Sequence, residues 1–257
     1  NEDELLELIN HIIVNETTFF RHEDQYAILL NLIKKYYEKS SQINILSAGC
    51  STGEEPYSIA MYLKTHLPPQ LFDKARITAM DISSFNIKIA QRGIYPQLKI
   101  DKVKDKNALK LYFTKCADGD NYELIPSIRT KVAFYMENLF TVSFRVKYNF
   151  IFCRNVMIYF SEEKRNMLIE KFSANLTDNG YIFLAPTESL LEAKNLFERL
   201  RENEVTYYRN ARFKSADKDR RERQELRQPN DRQQIADTSA ADSGAANKSK
   251  PSVEYDL

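Results

Sequence analysis

The 257-residue chain has only three cysteines, Cys50, Cys116 and Cys153, far apart and without a CxxC pair, so a disulfide framework is excluded. Its three histidines, His11, His22 and His66, do not cluster with them, and no zinc site or other metal site is expected. No run of ~18 or more apolar residues is present that would be needed to span a bilayer. The opening NEDELLELIN carries carboxylates where a secretory signal would carry basic residues, so the expected chain is not membrane-embedded and works in the reducing cytoplasm. Glycine numbers only six, which removes collagen-like classes. Neither charge sign dominates: 37 basic residues face 36 acidic ones, leaving no global field to attract nucleic acid. The first residue is Asn1 rather than Met, the pattern of a fragment.

What is present is an alternation of short β-branched or aromatic runs with longer amphipathic ones. Residues 2 to 13 and 23 to 38 read as helices from the spacing of their leucines and isoleucines. INILSA (43 to 48) reads as a buried strand, followed by a turn and the helix EPYSIAMYLKTHL, with Pro56 suited to a first turn. ARITAMDI (75 to 82) is a second strand. SSFNIKIAQRG is a helix opened by a serine cap and closed by Gly93. NFIFCRN (149 to 155), a helix capped by Ser161, and GYIFLAP (180 to 186) continue the series. Strand and helix in turn predict an α/β fold: a mostly parallel, Rossmann-like sheet with helices on both faces, whose ligand lies beyond the carboxyl ends of the strands.

Two stretches depart from that rhythm. LKLYFTKC, NYELIPSI and KVAFYME look like short strands, the first two joined by a turn at Gly119. KVAFYME suits the main sheet, and the rest suits a small antiparallel insert at about residues 108–131 whose edge can accept an extended peptide. A purely structural hairpin explains the same periodicity. After residue 214 the large apolar side chains nearly stop, so 215–257 is expected to be a disordered charged tail. The division is therefore 1–40 as an N-terminal helical segment, 41–214 as the main domain, and the tail.

Chemistry should concentrate in Ser47-Ala48-Gly49-Cys50-Ser51-Thr52-Gly53-Glu54-Glu55-Pro56. Small residues there, Gly49 among them, let backbone amides approach a ligand, yet the spacing is neither GxGxxG nor GxxxxGK[ST]. Glu54 and Glu55 at a helix start would repel a pyrophosphate but tolerate an ammonium group, which disfavours a dinucleotide and an NAD-dependent oxidoreductase. The alternative is that both simply complement the helix dipole. Asp81, ending the second strand, is placed to accept both hydroxyls of a ribose, or alternatively to cap the helix after it. Together these suggest an adenosine-bearing ligand without phosphates.

NETTFFR (15 to 21), SAGCSTGEEPYSIA (47 to 60), AMDIS (79 to 83), ENLF (137 to 140) and above all FIFCRNVMIYF (150 to 160) resemble the CheR family, the chemotaxis receptor methyltransferases. The resemblance runs in family order from about residue 10 to about residue 213. It implies a class I S-adenosylmethionine-dependent methyltransferase fold with a seven-stranded sheet and a small β-subdomain insert. It further implies methyl transfer from S-adenosylmethionine to glutamate side chains on the cytoplasmic helices of methyl-accepting chemoreceptors, leaving S-adenosylhomocysteine. A receptor C-terminal peptide is the partner implied at the β-subdomain, and the chain is expected to be a monomer.

By the same resemblance, Asn15, Thr17 and Arg21 lie on the segment that closes over the cofactor, Glu55 holds its methionyl portion and Asp81 its ribose. Asn138 and Leu139 flank the adenine. Arg154, Asn155 and Tyr159 line the sulfonium end, with Arg21 and Tyr159 in catalytic roles. A glutamate of reference pKa ~4.3 is already ionised at neutral pH, so the reaction requires no general base, which fits the absence of a candidate His or Cys nucleophile.

The chain also departs from the family. Where relatives carry Gly-His-Ser-Glu after the fifth strand, it has Leu184-Ala185-Pro186-Thr187-Glu188-Ser189, keeping the Glu and replacing the His by Pro. Only the last helix of the longer N-terminal domain, residues 2 to 13, is recognisable. These departures motivate an alternative: a non-catalytic CheR-like sensor or scaffold that binds S-adenosylmethionine or S-adenosylhomocysteine.

Overall fold

The computed structural model describes residues 17–103, 106–190 and 193–212. The expected helix at 2 to 13, Asn15 and the tail at 215–257 lie outside the described residues. Seven strands form the main sheet: β1 (Ile43–Ala48), β2 (Ala75–Asp81), β6 (Val132–Met136), β7 (Tyr148–Phe152), β8 (Leu176–Phe183), β9 (Phe197–Glu202) and β10 (Val205–Asn210), in the order β6-β2-β1-β7-β8-β10-β9. The first five are parallel, and β10 runs antiparallel to both neighbours. A second, three-stranded antiparallel sheet joins β3 (Ile94–Pro96), β5 (Asn121–Leu124) and β4 (Phe113–Lys115).

The period of two along each strand separates the core into layers. Ile45, Phe150, Phe152, Tyr181 and Phe183 face one side, where Phe152 and Phe183 stack with centroids 4.5 Å apart. Leu46, Ile151, Cys153 and Ile182 face the other. The first side is covered by α1 (Asp24–Leu32, continued by a π-turn Ile33–Tyr37) and α2 (Glu54–His66), which bury Tyr26, Leu29, Ile33, Tyr57 and Ile59. A short helix α3 (Pro69–Lys74) then leads into β2. The second side is covered by a helix spanning Glu162–Asn175, where Leu168, Ile169 and Phe172 are buried. Its cap is as expected, with Ser161 Oγ accepting from Lys164 N. In α4 (Ser84–Arg92) the Ser83 hydroxyl accepts from Asn86 N, and Gly93 terminates the helix.

Three boundaries differ from expectation. LKLYFTKC is not a strand throughout: α6 (Lys106–Tyr112), which follows α5 (Gln97–Asp101), occupies its first half, and only Phe113–Lys115 is extended. Leu109 and Tyr112, three residues apart, share one helical face against the core and leave Leu111 exposed, a pattern that adjacent apolar residues conceal in one dimension. NYELIPSI leaves its strand at Leu124 because Pro126 opens a helical turn, α7 (Pro126–Arg129). The last parallel strand begins at Leu176, four residues before GYIFLAP, and ends at Phe183. The helix Glu162–Asn175 is α8 in this numbering.

The turn after β1 depends on Gly53, whose φ of +94° lies in the left-handed region. A Cβ there would stand 2.8 Å from the Ala90 Cβ and 3.1 Å from the Tyr95 hydroxyl. Gly53→Ala should therefore cost about 1–3 kcal/mol of stability through backbone strain and overpacking, read as a lowered denaturant midpoint at constant slope. An unchanged midpoint would mean that the turn relaxes without cost.

Candidate functional site

Chain order and sheet order diverge at β1: β2 and β6 lie on one side of it, β7 and β8 on the other. A parallel sheet opens a crevice at such a point, beyond the strand ends. Asp81 ends β2, and the segments that follow β1, β6, β7 and β8 carry Gly49, Asn138, Arg154 and Glu188 respectively.

The centre of the arrangement is a buried ion pair. Arg154 Nε donates to Glu55 Oε2 at 2.5 Å, and the side chains are 3% and 11% exposed. Ser47 Oγ donates to the other Glu55 oxygen at 2.6 Å. The remaining guanidinium nitrogens donate to the Arg21 carbonyl (2.5 Å), Gln25 Oε1 (3.3 Å) and the Tyr26 hydroxyl (3.1 Å), and the guanidinium also lies 5.5 Å from the Tyr26 ring centroid. Burial works against the Arg154 charge, but Tyr26 and Glu55 outweigh it and hold its pKa above the ordinary arginine range. Burial pushes the Tyr26 phenol up to about 12, so it stays neutral. Gln25 Nε2 also donates to the Leu184 carbonyl at 2.7 Å, fastening α1 to the end of β8.

Asp81 anchors the neighbouring half. Its Oδ2 accepts from Ser51 N at 2.8 Å and its Oδ1 from Ser83 N at 2.9 Å, with Asn86 Nδ2 more distant at 3.4 Å. Burial raises its pKa, and these donors pull it back only in part. A carboxylate offers about four lone-pair directions, so Ser51 N, Ser83 N and the more distant Asn86 amide leave it acceptor capacity for a ligand hydroxyl. The side chain that caps the helix is Ser83, not Asp81, whose carboxylate instead bonds the amides of the two turns leading into the site.

Glu54, fully buried, pairs with Lys99 of α5, and its carboxylate accepts from Thr52 Oγ1 at 2.7 and 3.0 Å. Tyr95 of β3 donates to the Thr52 carbonyl at 2.7 Å, so the small sheet and the helix that follows β3 each hold the glycine turn at one point. Both glutamates of the turn therefore have cationic partners. The repulsion they would exert on a phosphate is weaker than their sequence suggests, and the case against a dinucleotide rests on the glycine spacing.

The other expected site residues are placed as follows. Thr17 and Arg21 are half-buried on the segment whose Phe19 packs edge-on against Tyr95 and Phe113 of the small sheet. Gly49, at φ +79°, donates to the Met80 carbonyl, and a Cβ on it would meet Val156 Cγ2 at 2.4 Å, so the turn lies directly against the loop after β7. Asn138 caps its own turn through Phe140 N at 2.9 Å, while Leu139 is buried in the same cluster as Ala48 and Met80. Asn155 has φ +60°. Tyr159 ends a 3-10 turn (Met157–Tyr159), is 62% exposed, and stands outside the Glu55–Arg154 network.

Ser47 and Glu188 lie in segments the sequence singles out but receive no role there, and Gln25 and Tyr26 were missed as site residues. Gln25 and Tyr26 give no signal beyond an ordinary amphipathic helix. Burial raises the Cys50 and Cys153 thiols well above their usual range, so neither is poised as a nucleophile. Among the described residues no His, Cys, Asp and Glu cluster could hold a metal ion, and no helix is long and apolar enough to cross a membrane.

Residues 15–206 match the family model described as CheR methyltransferase, SAM binding domain. The chain is 38% identical over 202 residues to a chemotaxis protein methyltransferase of Borreliella burgdorferi, covering 75% of this chain and 71% of that one. It is 34% identical over 223 residues to chemotaxis protein methyltransferase 2 of Vibrio cholerae, covering 84% and 77%. Among solved structures, magnesium protoporphyrin IX methyltransferase of Synechocystis PCC 6803 with bound SAH gives a TM-score of 0.43 at 13% identity, covering 74% of this chain and 83% of that one.

Removing one member of a buried pair strands the other. Arg154→Ala should cost about 3–5 kcal/mol by denaturant unfolding, and the double variant Arg154→Met/Glu55→Gln should cost less than the sum of the two single changes. Strictly additive losses would show that the two side chains do not depend on each other.

Proposed function

The chain belongs to the CheR methyltransferase family, and from that premise we propose that Arg21, Glu55, Asp81, Arg154 and Tyr159 form the site at which it methylates receptor glutamates. It is an S-adenosylmethionine-dependent chemotaxis methyltransferase that converts glutamate side chains to methyl esters. One observation carries the assignment of the site: Arg154 donates to both Glu55 and the Arg21 carbonyl at the crevice of a parallel sheet, with Asp81 bonded to the adjoining glycine turn.

The residues suit an adenosyl ligand. Asp81 would hold the ribose hydroxyls, the close approach allowed by Gly49 admits the ligand to the turn, and Asn138 and Leu139 border the base. Glu55, held in place by Arg154 and Ser47, would meet the ammonium of the methionyl portion. Thr17 and Asn155 would complete the enclosure. When bound, S-adenosylmethionine supplies an electrophilic methyl group on a cationic sulfur.

The acceptor is a carboxylate that is already ionised, so the protein has no proton to remove. An anion and a cation become neutral products, and charge disperses on the way. A site that excludes water and aligns the acceptor oxygen therefore contributes more than one that solvates ions. Arg21 guides the acceptor carboxylate. It does so by position, because tight pairing would blunt the oxygen's nucleophilicity. The Tyr159 hydroxyl, exposed at the rim, orients the same group.

The acceptors are the cytoplasmic helices of methyl-accepting chemoreceptors, approached by a monomer in the cytoplasm. A receptor C-terminal peptide would add to the small sheet along β4, whose Thr114 and Lys115 are exposed. The opposite edge carries Pro96, which lacks an N–H to donate.

Incubation with labelled methyl donor and receptor-containing membranes should give base-labile label on the receptor. Binding of S-adenosylhomocysteine without transfer would instead support the sensor alternative. Arg21→Ala and Tyr159→Phe should each lower turnover by about tenfold to a hundredfold, and wild-type rates in both would remove these residues from the reaction. Protonating Asp81 destroys an acceptor. Calorimetric affinity for S-adenosylhomocysteine should therefore fall as pH drops through its raised pKa. Asp81→Asn should bind more weakly at neutral pH with a flatter acid limb, whereas an equally steep limb would assign the titration to another group.

A further inference from the structure

The loop after β7 is shaped to receive an anion. Asn155 sits at φ +60° in the left-handed region, and Val156 follows at φ −113°, ψ −44° in the right-handed region. Adjacent residues of opposite hand turn successive N–H groups toward one point, forming a concavity that binds negative charge. The Glu188 carboxylate occupies that point. Its Oε2 accepts from Asn155 N at 3.0 Å, and its Oε1 from Val156 N at 3.1 Å and Met157 N at 3.0 Å. A fourth amide, Ala185 N, donates to Oε2 at 2.9 Å.

The departure from the family run fits this picture. Glu188 N donates to the Ala185 carbonyl at 2.9 Å, closing a turn of Ala185-Pro186-Thr187-Glu188. Proline in the second position of such a turn has its φ set in advance and has no N–H to satisfy. Pro186 thus stiffens the turn that presents the carboxylate.

We propose that Glu188 is a positioning residue for methyl transfer, its carboxylate acting as the built-in anion that fixes the loop bearing Arg154, Asn155 and the Tyr159 turn. The proposal rests on the methyl-transfer reading above. Glu188 touches neither methyl donor nor acceptor; it sets the direction in which Arg154 leaves β7 toward Glu55 and the height at which Tyr159 stands at the rim. Replacing the carboxylate by a carboxamide leaves one acceptor oxygen for four donors and turns an NH₂ toward N–H groups.

The test uses Glu188→Gln and Glu188→Ala in the full chain, with thermal unfolding and receptor methylation measured in rising formate or acetate. Both variants should lose about tenfold or more in kcat, since each charge-assisted hydrogen bond removed is worth that order. In Glu188→Ala the added carboxylate should restore turnover and raise the melting temperature, while the wild type responds to neither. Wild-type kcat in a folded Glu188→Gln, or a loss in Glu188→Ala that no small carboxylate relieves, overturns the proposal. A wild-type chain that transfers no methyl group would instead defeat the reading on which the proposal rests. The melting response of Glu188→Ala then decides whether the carboxylate fills the concavity, and its absence overturns that too.

Discussion

The Arg154–Glu55 pair is the interaction on which the rest of the site depends. Withdrawing two such charges from water carries a penalty of several kcal/mol per ion that mutual attraction alone does not reliably offset. Here the deficit is met by neighbours: Ser47 from β1, the Arg21 carbonyl, and Gln25 and Tyr26 from α1. They come from β1 and from the N-terminal segment, so with Glu55 on α2 and Arg154 after β7 the pair draws four stretches of chain to one place. A purely apolar filling of the same volume would pack well but would not fix directions.

The architecture at the strand ends follows from that requirement. Glycine turns admit the close contacts, Asp81 ties the first turn to the second strand, and Lys99 brings α5 against Glu54. The site is thus assembled from loops, each anchored by a side chain or amide bonded to another loop rather than by its own strand alone.

Much of this was legible before the fold was known. Short apolar runs such as INILSA and NFIFCRN located the parallel strands, and Ser83, Ser161 and Gly93 marked helix ends, because those signals are local. The family motifs pointed to Glu55, Asp81 and Arg154, which the structure does gather at the strand ends. What escaped reading depends on distant partners. That Leu109 and Tyr112 belong to a helix is decided by the core against which they pack, and that Gln25 and Tyr26 receive a guanidinium is decided by residues more than a hundred positions away. Glu54 and Glu55 were read as free negative charge because sequence shows charges but not their counterions.

The distribution of the three thiols has a practical consequence. All three thiols are held above their usual range, but Cys50 and Cys153 are buried at the strand ends while Cys116 is half-exposed at the hairpin of the small sheet. Alkylating reagents attack thiolates they can reach. A maleimide dye should accordingly settle on Cys116 alone, giving a single optical reporter on the small sheet without any need to engineer cysteines away.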